Sequence, residues 1–208
     1  MSLICNGVYA DTGDKAFEAE TSYYLQFQIN SSLVSIDYIT NCRYNNSVFN
    51  SKAEYYHYYL DHLLYSIGQI STRFKPVNNN KPNAKEINER VTTNCKNYQF
   101  DENKYPILSN KQFRNTVEHI DEYNIGTILK YKGVGGFNYI DVETDKDLIE
   151  VLRKDRAKHI YTLDLLVGEV YIQRGDKELS LNINLLKSEL EELKIRVDSL
   201  LEFATGWY

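Results

Sequence analysis

The chain is poor in the residues that staple or interrupt folds: 208 residues contain three Cys, three Pro, ten Gly, one Met and one Trp. Cys5, Cys42 and Cys95 stand far apart, so no C-x-x-C zinc or redox pattern exists, and an odd number does not suit a secreted disulfide framework. Reduced thiols are expected. Long apolar runs are also missing, and the opening MSLICNGVYADTGDK has neither a basic nor an apolar leader region, so the expectation is a cytoplasmic protein without a membrane span. Neither DTGDK nor KGVGGF has the full glycine spacing of a phosphate-cradling loop.

What the chain does have is ordinary globular composition, 42% hydrophobic and 25% charged, with an excess of tyrosine, 18 in all. Its length favours one domain, or at most two small ones, and buries enough surface for a core without metal or disulfide support. The net charge of -5 argues against a protein that coats nucleic acid through bulk electrostatics. The distribution is uneven, however. Residues 73–114 carry nine basic and four acidic side chains, among them Arg73, Lys75, Lys81, Lys85, Arg90, Lys96, Lys104 and Lys111. Phe74, Tyr98, Phe100, Tyr105 and Phe113 are interleaved with them. The stretch reads either as a solvated surface or as a local polyanion site.

Periodicity predicts a mainly α chain. Leu25, Ile29, Leu33 and Ile36 form the stripe of a first helix within residues 14–42. Ser51 is placed to cap a second over residues 52–74, where Tyr56, Leu60, Leu63, Leu64 and Ile67 recur at helical spacing. KPVNNNKPN breaks the chain before a short third helix at residues 84–97. Ser109 or Asn110 can cap a fourth, NKQFRNTVEHIDEY, and KGVGGF reads as a loop. IYTLDLL, VGEVYIQ and ELSLNI then alternate as strands, with Gly175 and Asp176 in a turn. A small antiparallel hairpin or three-stranded meander is expected near residues 159–183. Asn182 or Asn184 would cap a last helix striped by Leu186, Leu190, Leu193, Val197 and Leu200.

On the fourth helix, Phe113, Val117 and Ile120 cluster within about 60° and mark a buried face, while Asn115 and His119 fall near 200° and 240° on the opposite side. Arg114 flanks them. A histidine moves protons near neutral pH, and an arginine offers a permanent bidentate cation to a phosphate. RNA cleavage through the substrate's own 2′-hydroxyl needs those two groups and no Ser or Cys nucleophile.

At Arg114-Asn115-Thr116-Val117-Glu118-His119 the chain resembles the HEPN family (higher eukaryotes and prokaryotes nucleotide-binding), helical domains marked by R-x4-6-H, often with Asn directly after the Arg. Requiring that Asn lowers the matches expected by chance from roughly 0.5 to roughly 0.05. The resemblance implies a HEPN-like bundle of about five helices spanning residues 1–208 as one domain. It further implies a metal-independent endoribonuclease, frequently a toxin or phage-defence effector, working as a homodimer and without a cofactor. Arg114, Asn115 and His119 are its catalytic candidates; Lys111, Arg90 and Lys85 are candidate RNA-binding cations. An antitoxin or regulatory protein is a possible partner. The alternative is a catalytically inactive HEPN-like dimerisation module, with Arg114 paired to Glu118 on a wet helix face.

A second match, Arg153 to His159, lacks the Asn and leads into a predicted strand. His57 and His62 suit no metal pattern and read as packing or surface residues. The row Tyr55, Tyr56, Tyr58, Tyr59 reads either as a base-stacking surface or as a bundle or dimer face.

Overall fold

The computed structural model describes residues 2–5, 8–11, 14–110, 112, 113, 115, 136–174 and 177–205. Among them are five helices, α1 (Asp14–Asn41), α2 (Lys52–Thr72), α3 (Ala84–Asn97), α4 (Lys146–Asp155) and α5 (Ile183–Thr205). Strands β1 (Ser2–Cys5) and β2 (Val8–Asp11) form an antiparallel pair. Strands β3 (Phe137–Ile140), β4 (Tyr161–Asp164), β5 (Glu169–Arg174) and β6 (Lys177–Asn182) form a four-stranded sheet in that order. The chain is mainly α with a small sheet.

The expected stripes make the core. Leu25, Ile29 and Ile36 of α1, Leu60, Leu63, Leu64 and Ile67 of α2, and Leu186, Leu190, Leu193 and Val197 of α5 are all buried in one cluster. Helix α1 is the shared partner, packed against both α2 and α5. Polar side chains fix its register: Gln26 Nε2 donates to Asp198 Oδ1 of α5 at 2.8 Å, and Asn97 Nδ2 of α3 donates to Glu18 Oε1 at 3.0 Å. Caps fall as the sequence predicts. Glu54 N–H donates to Ser51 Oγ at 3.1 Å, and Leu185 N–H donates to Asn182 Oδ1 at 2.9 Å, so Asn182 and not Asn184 opens α5.

The sheet departs from the expected antiparallel hairpin or meander and begins earlier than residue 159. Strands β4, β5 and β6 do form an antiparallel meander, but β3 adds to β4 in parallel. A parallel neighbour needs a crossover, and α4 supplies it. Gly136, at φ +94°, turns the chain into β3, and Phe137, the last residue of KGVGGF, is the first of that strand and not loop; residues 132–135, Gly175 and Asp176 lie outside the described residues. No described helix is long and apolar enough to cross a membrane.

Tyrosine is chiefly a packing residue here. Tyr55 and Tyr56 are buried, Tyr59 stacks on Tyr38 with centroids 4.6 Å apart, and Tyr56 meets Tyr139 of β3 at 5.1 Å. Of the four-residue tyrosine row only Tyr58 is exposed, which favours the bundle reading over a base-stacking one. His57 stacks on Phe137 at 5.2 Å and docks α2 on the sheet, while His62 sits outside against Tyr58.

Candidate functional site

The approach to the motif is rigid because its backbone is held by a buried acid. Glu189 of α5 is 3% exposed, and its carboxylate accepts the N–H groups of Ile107 at 3.0 Å and Leu108 at 2.9 Å. Burial raises its pKa against the opposing effect of those two bonds. Ser109 and Asn110 follow. Gln112 N–H donates to Asn110 Oδ1 at 3.0 Å, which makes Asn110 the capping side chain of the two proposed from sequence. Gln112, Phe113 and Asn115 are helical, and Phe113 is buried, as its place on the apolar stripe requires. Lys111, Arg114 and His119 lie outside the described residues, as does the rest of the predicted fourth helix.

Asn115 is exposed and faces a cleft of about 520 Å³. Its other walls come from the end of α2, the loop after it and Ile87 of α3, and they carry three cations, Arg73, Lys75 and Lys81. The loop that positions two of these cations is clipped to α3 by asparagine amides. Asn88 accepts the Val77 N–H at 2.8 Å and returns a bond to the Val77 carbonyl at 3.1 Å; Asn94 Nδ2 donates to the Arg73 carbonyl at 2.9 Å. Thus the Asn-rich breaker is a held loop, and the carbonyl end of α2 faces positive charge.

The cations differ in what they already bind. Lys75 pairs with Glu102, whereas Lys81 is exposed and forms no ion pair among the described residues. Arg73 lies over the ring of Tyr24, 4.3 Å from its centroid, and its guanidinium donates no hydrogen bond among the described residues. Such a group holds its charge in place with its donors unspent.

The remaining sequence candidates sit apart from Asn115. Lys85 lines a separate shallow depression with Asn88 and Glu89, and Arg90 lines a third cleft together with Arg73, Tyr23 and Phe27. Five residues of helix put Lys85 and Arg90 about 140° apart around α3. Arg73 is the wall common to the Asn115 and Arg90 clefts. The interleaved aromatics are core: Phe74 stacks on Phe100 at 4.0 Å, Phe100 on Tyr105 at 4.8 Å, and Tyr98 shares a 2.8 Å hydrogen bond with Ser22. Burial pushes the Tyr98 hydroxyl up to about 12.

The second R-to-H match is structural at its arginine. Arg153 Nε donates to Asp164 Oδ2 at 2.6 Å, and Asp164 is 1% exposed. His159 is half-buried, with Nδ1 buried and unpartnered among the described residues, and burial lowers its pKa. Among the described residues no group of His, Cys, Asp and Glu side chains is arranged to hold a metal ion.

Sequence reasoning missed Glu189, which reads as one more exposed acid in the run SELEEL of the last helix. Its place at the third residue after Leu186 on the buried side is the signal that could have found it. Neither protein-family models, curated proteins nor solved structures yield a match to this chain.

Proposed function

We propose that this chain is a metal-independent, HEPN-like endoribonuclease. The observation that carries the reading is the placement of Asn115, next in sequence to Arg114, on the wall of a cleft whose other walls present Arg73, Lys75 and Lys81. Acidic residues crowd the motif itself, at Glu118, Asp121 and Glu122. A phosphate backbone needs compensating cations beside it, and the end of α2 provides them.

In this reading His119 moves the proton of the substrate's 2′-hydroxyl, or of the leaving oxygen. The 2′-oxygen attacks the adjacent phosphorus, the P–O5′ bond breaks, and the products are a 2′,3′-cyclic phosphate and a 5′-hydroxyl. Arg114 stabilises charge on the phosphate oxygens, and Asn115 orients His119 or the phosphate. Lys111, Lys81 and Arg73 hold the backbone on either side, with Arg90 and Lys85 further along the strand. Two protomers pair so that both motifs face one cleft. A toxin or phage-defence role restrained by an antitoxin or other regulatory protein, and a cytoplasmic setting, follow from the family resemblance alone.

The test is incubation of the purified protein with RNA in EDTA. Cleavage that persists in chelator and is lost in His119→Ala and Arg114→Ala supports the reading; intact RNA with the wild-type protein removes it. A catalytically inactive dimerisation module is the second reading, favoured by the exposure of Val34, Tyr58 and Tyr65 on α1 and α2. Intact RNA together with a dimeric mass by light scattering would select it.

A further inference from the structure

The cleft on the far side of Arg73 has a different character from the one at Asn115. It measures about 560 Å³, within the roughly 300–1,000 Å³ of small-ligand sites. One wall is α1, where Tyr23 and Phe27 stand one helical turn apart and are 37% and 63% exposed. Buried Gln28 and the Glu20 carboxylate lie on the same helix, and Arg73 and Arg90 form the opposite side.

Exposed aromatics beside the Arg73 guanidinium, whose donors bond nothing among the described residues, fit a ligand that has both a flat apolar surface and a negative charge. A phosphate alone would not use Tyr23 and Phe27, and Glu20 would repel it. An apolar peptide would leave the Arg73 donors, which bond nothing among the described residues, unused. We propose that this cleft is a stacking subsite for an unpaired base of single-stranded RNA, one strand running from the phosphate-binding cleft at Asn115 across Arg73 to Tyr23 and Phe27. The choice of RNA rests on the function proposed above; the stacking chemistry does not. Tyr23 and Phe27 take the face of the base, and Glu20 and Gln28 face its edge, where a carboxylate accepts base N–H groups. Arg73 holds the intervening phosphate. A duplex hides its base faces inside the helix, so the subsite selects unpaired strands.

The test uses fluorescein-labelled, 2′-O-methylated RNA, which cannot be cleaved through the 2′-oxygen, in single-stranded and duplex form. Wild-type protein is expected to bind the single strand more tightly than the duplex by fluorescence anisotropy. The double variant Tyr23→Ala, Phe27→Ala should weaken single-strand binding by about tenfold or more with the salt dependence unchanged. Arg73→Ala should reduce the salt slope by about 0.7. The stacking-preserving variant Tyr23→Phe, Phe27→Trp should bind as wild type, which separates loss of the platform from loss of fold. No binding by the wild type, equal binding of duplex, or an unaltered affinity in the double alanine variant overturns the subsite. Cleavage of unmodified RNA is scored separately: aromatic-dependent binding without cleavage leaves the subsite standing and removes the nuclease. Cleavage with unaltered affinity in the alanine variant does the reverse.

Discussion

Glu189 accepts the backbone N–H of Leu108 at 2.9 Å across 81 positions of sequence, and its second oxygen takes the neighbouring amide of Ile107. One side chain of the last helix thereby fixes the entry to the R-to-H motif. Glu189→Ala leaves two buried donors without acceptors and should cost about 3 kcal/mol of folding free energy, read as a lowered urea midpoint by circular dichroism. Glu189→Gln keeps one acceptor and should fall between the two.

His159 gives the stability a pH dependence of known sign. Its folded pKa lies below the ordinary imidazole value of about 6.5, because burial disfavours the cation. In the interval below that value the unfolded chain binds more protons than the folded one, so stability held above pH 6.5 is lost as pH falls through the lowered value. Urea midpoints measured from pH 8 to pH 5 should decline for the wild type. His159→Gln should flatten that part of the curve.

The stack of Phe74, Phe100 and Tyr105 lies behind the basic stretch and supports it from within. Phe100→Ala removes the middle ring of the three. A loss of about 3 kcal/mol is expected, since a buried ring leaves a cavity that the neighbours fill only in part. A thermal melt unchanged from wild type would contradict the packing described.

Tyr55 tests the tyrosine-rich second helix. Its hydroxyl donates to the Tyr38 carbonyl at 2.6 Å and accepts from the Arg43 N–H at 2.8 Å, closing the turn between α1 and α2. Burial pushes its pKa up to about 12, so it stays protonated at neutral pH and the donor is retained. Tyr55→Phe keeps the ring contacts with Phe49 and Tyr59 but should cost about 2 kcal/mol.

The elements legible in the sequence are those that bury a continuous stripe. Helix α5 is written in Leu186, Leu190, Leu193 and Val197, and α2 in Ser51 and the Leu60 to Ile67 spacing, because burial and capping are local signals. Strand β3 was not legible: four residues behind a glycine-rich stretch acquire their meaning only by pairing with β4, twenty-four positions away at Phe137 and Tyr161. Helix α4 has a weak sequence signal because it buries none of its residues fully, although Asp145 caps it through the Asp147 N–H. The pair β1 and β2 had a signal in the Asn6-Gly7 dipeptide between them, the chemistry of a tight hairpin. At the candidate site the basic stretch was visible as composition. Which cations share a cleft with Asn115 depends on the end of α2, the asparagine clips and the turn of α3, and spacing along the chain says little about any of them.

Asn182 is both the last residue of β6 and the cap of α5, and Ile183 N–H donates to the Gly168 carbonyl at 2.9 Å, so strand runs into helix with no joint between them. The two therefore form one continuous strut. Glu189, seven residues along α5 from Asn182, ties this continuous unit to the backbone of Ile107 and Leu108. The sheet itself also reaches the motif's first turn, where Arg174 at the end of β5 donates to the Gln112 carbonyl at 3.4 Å.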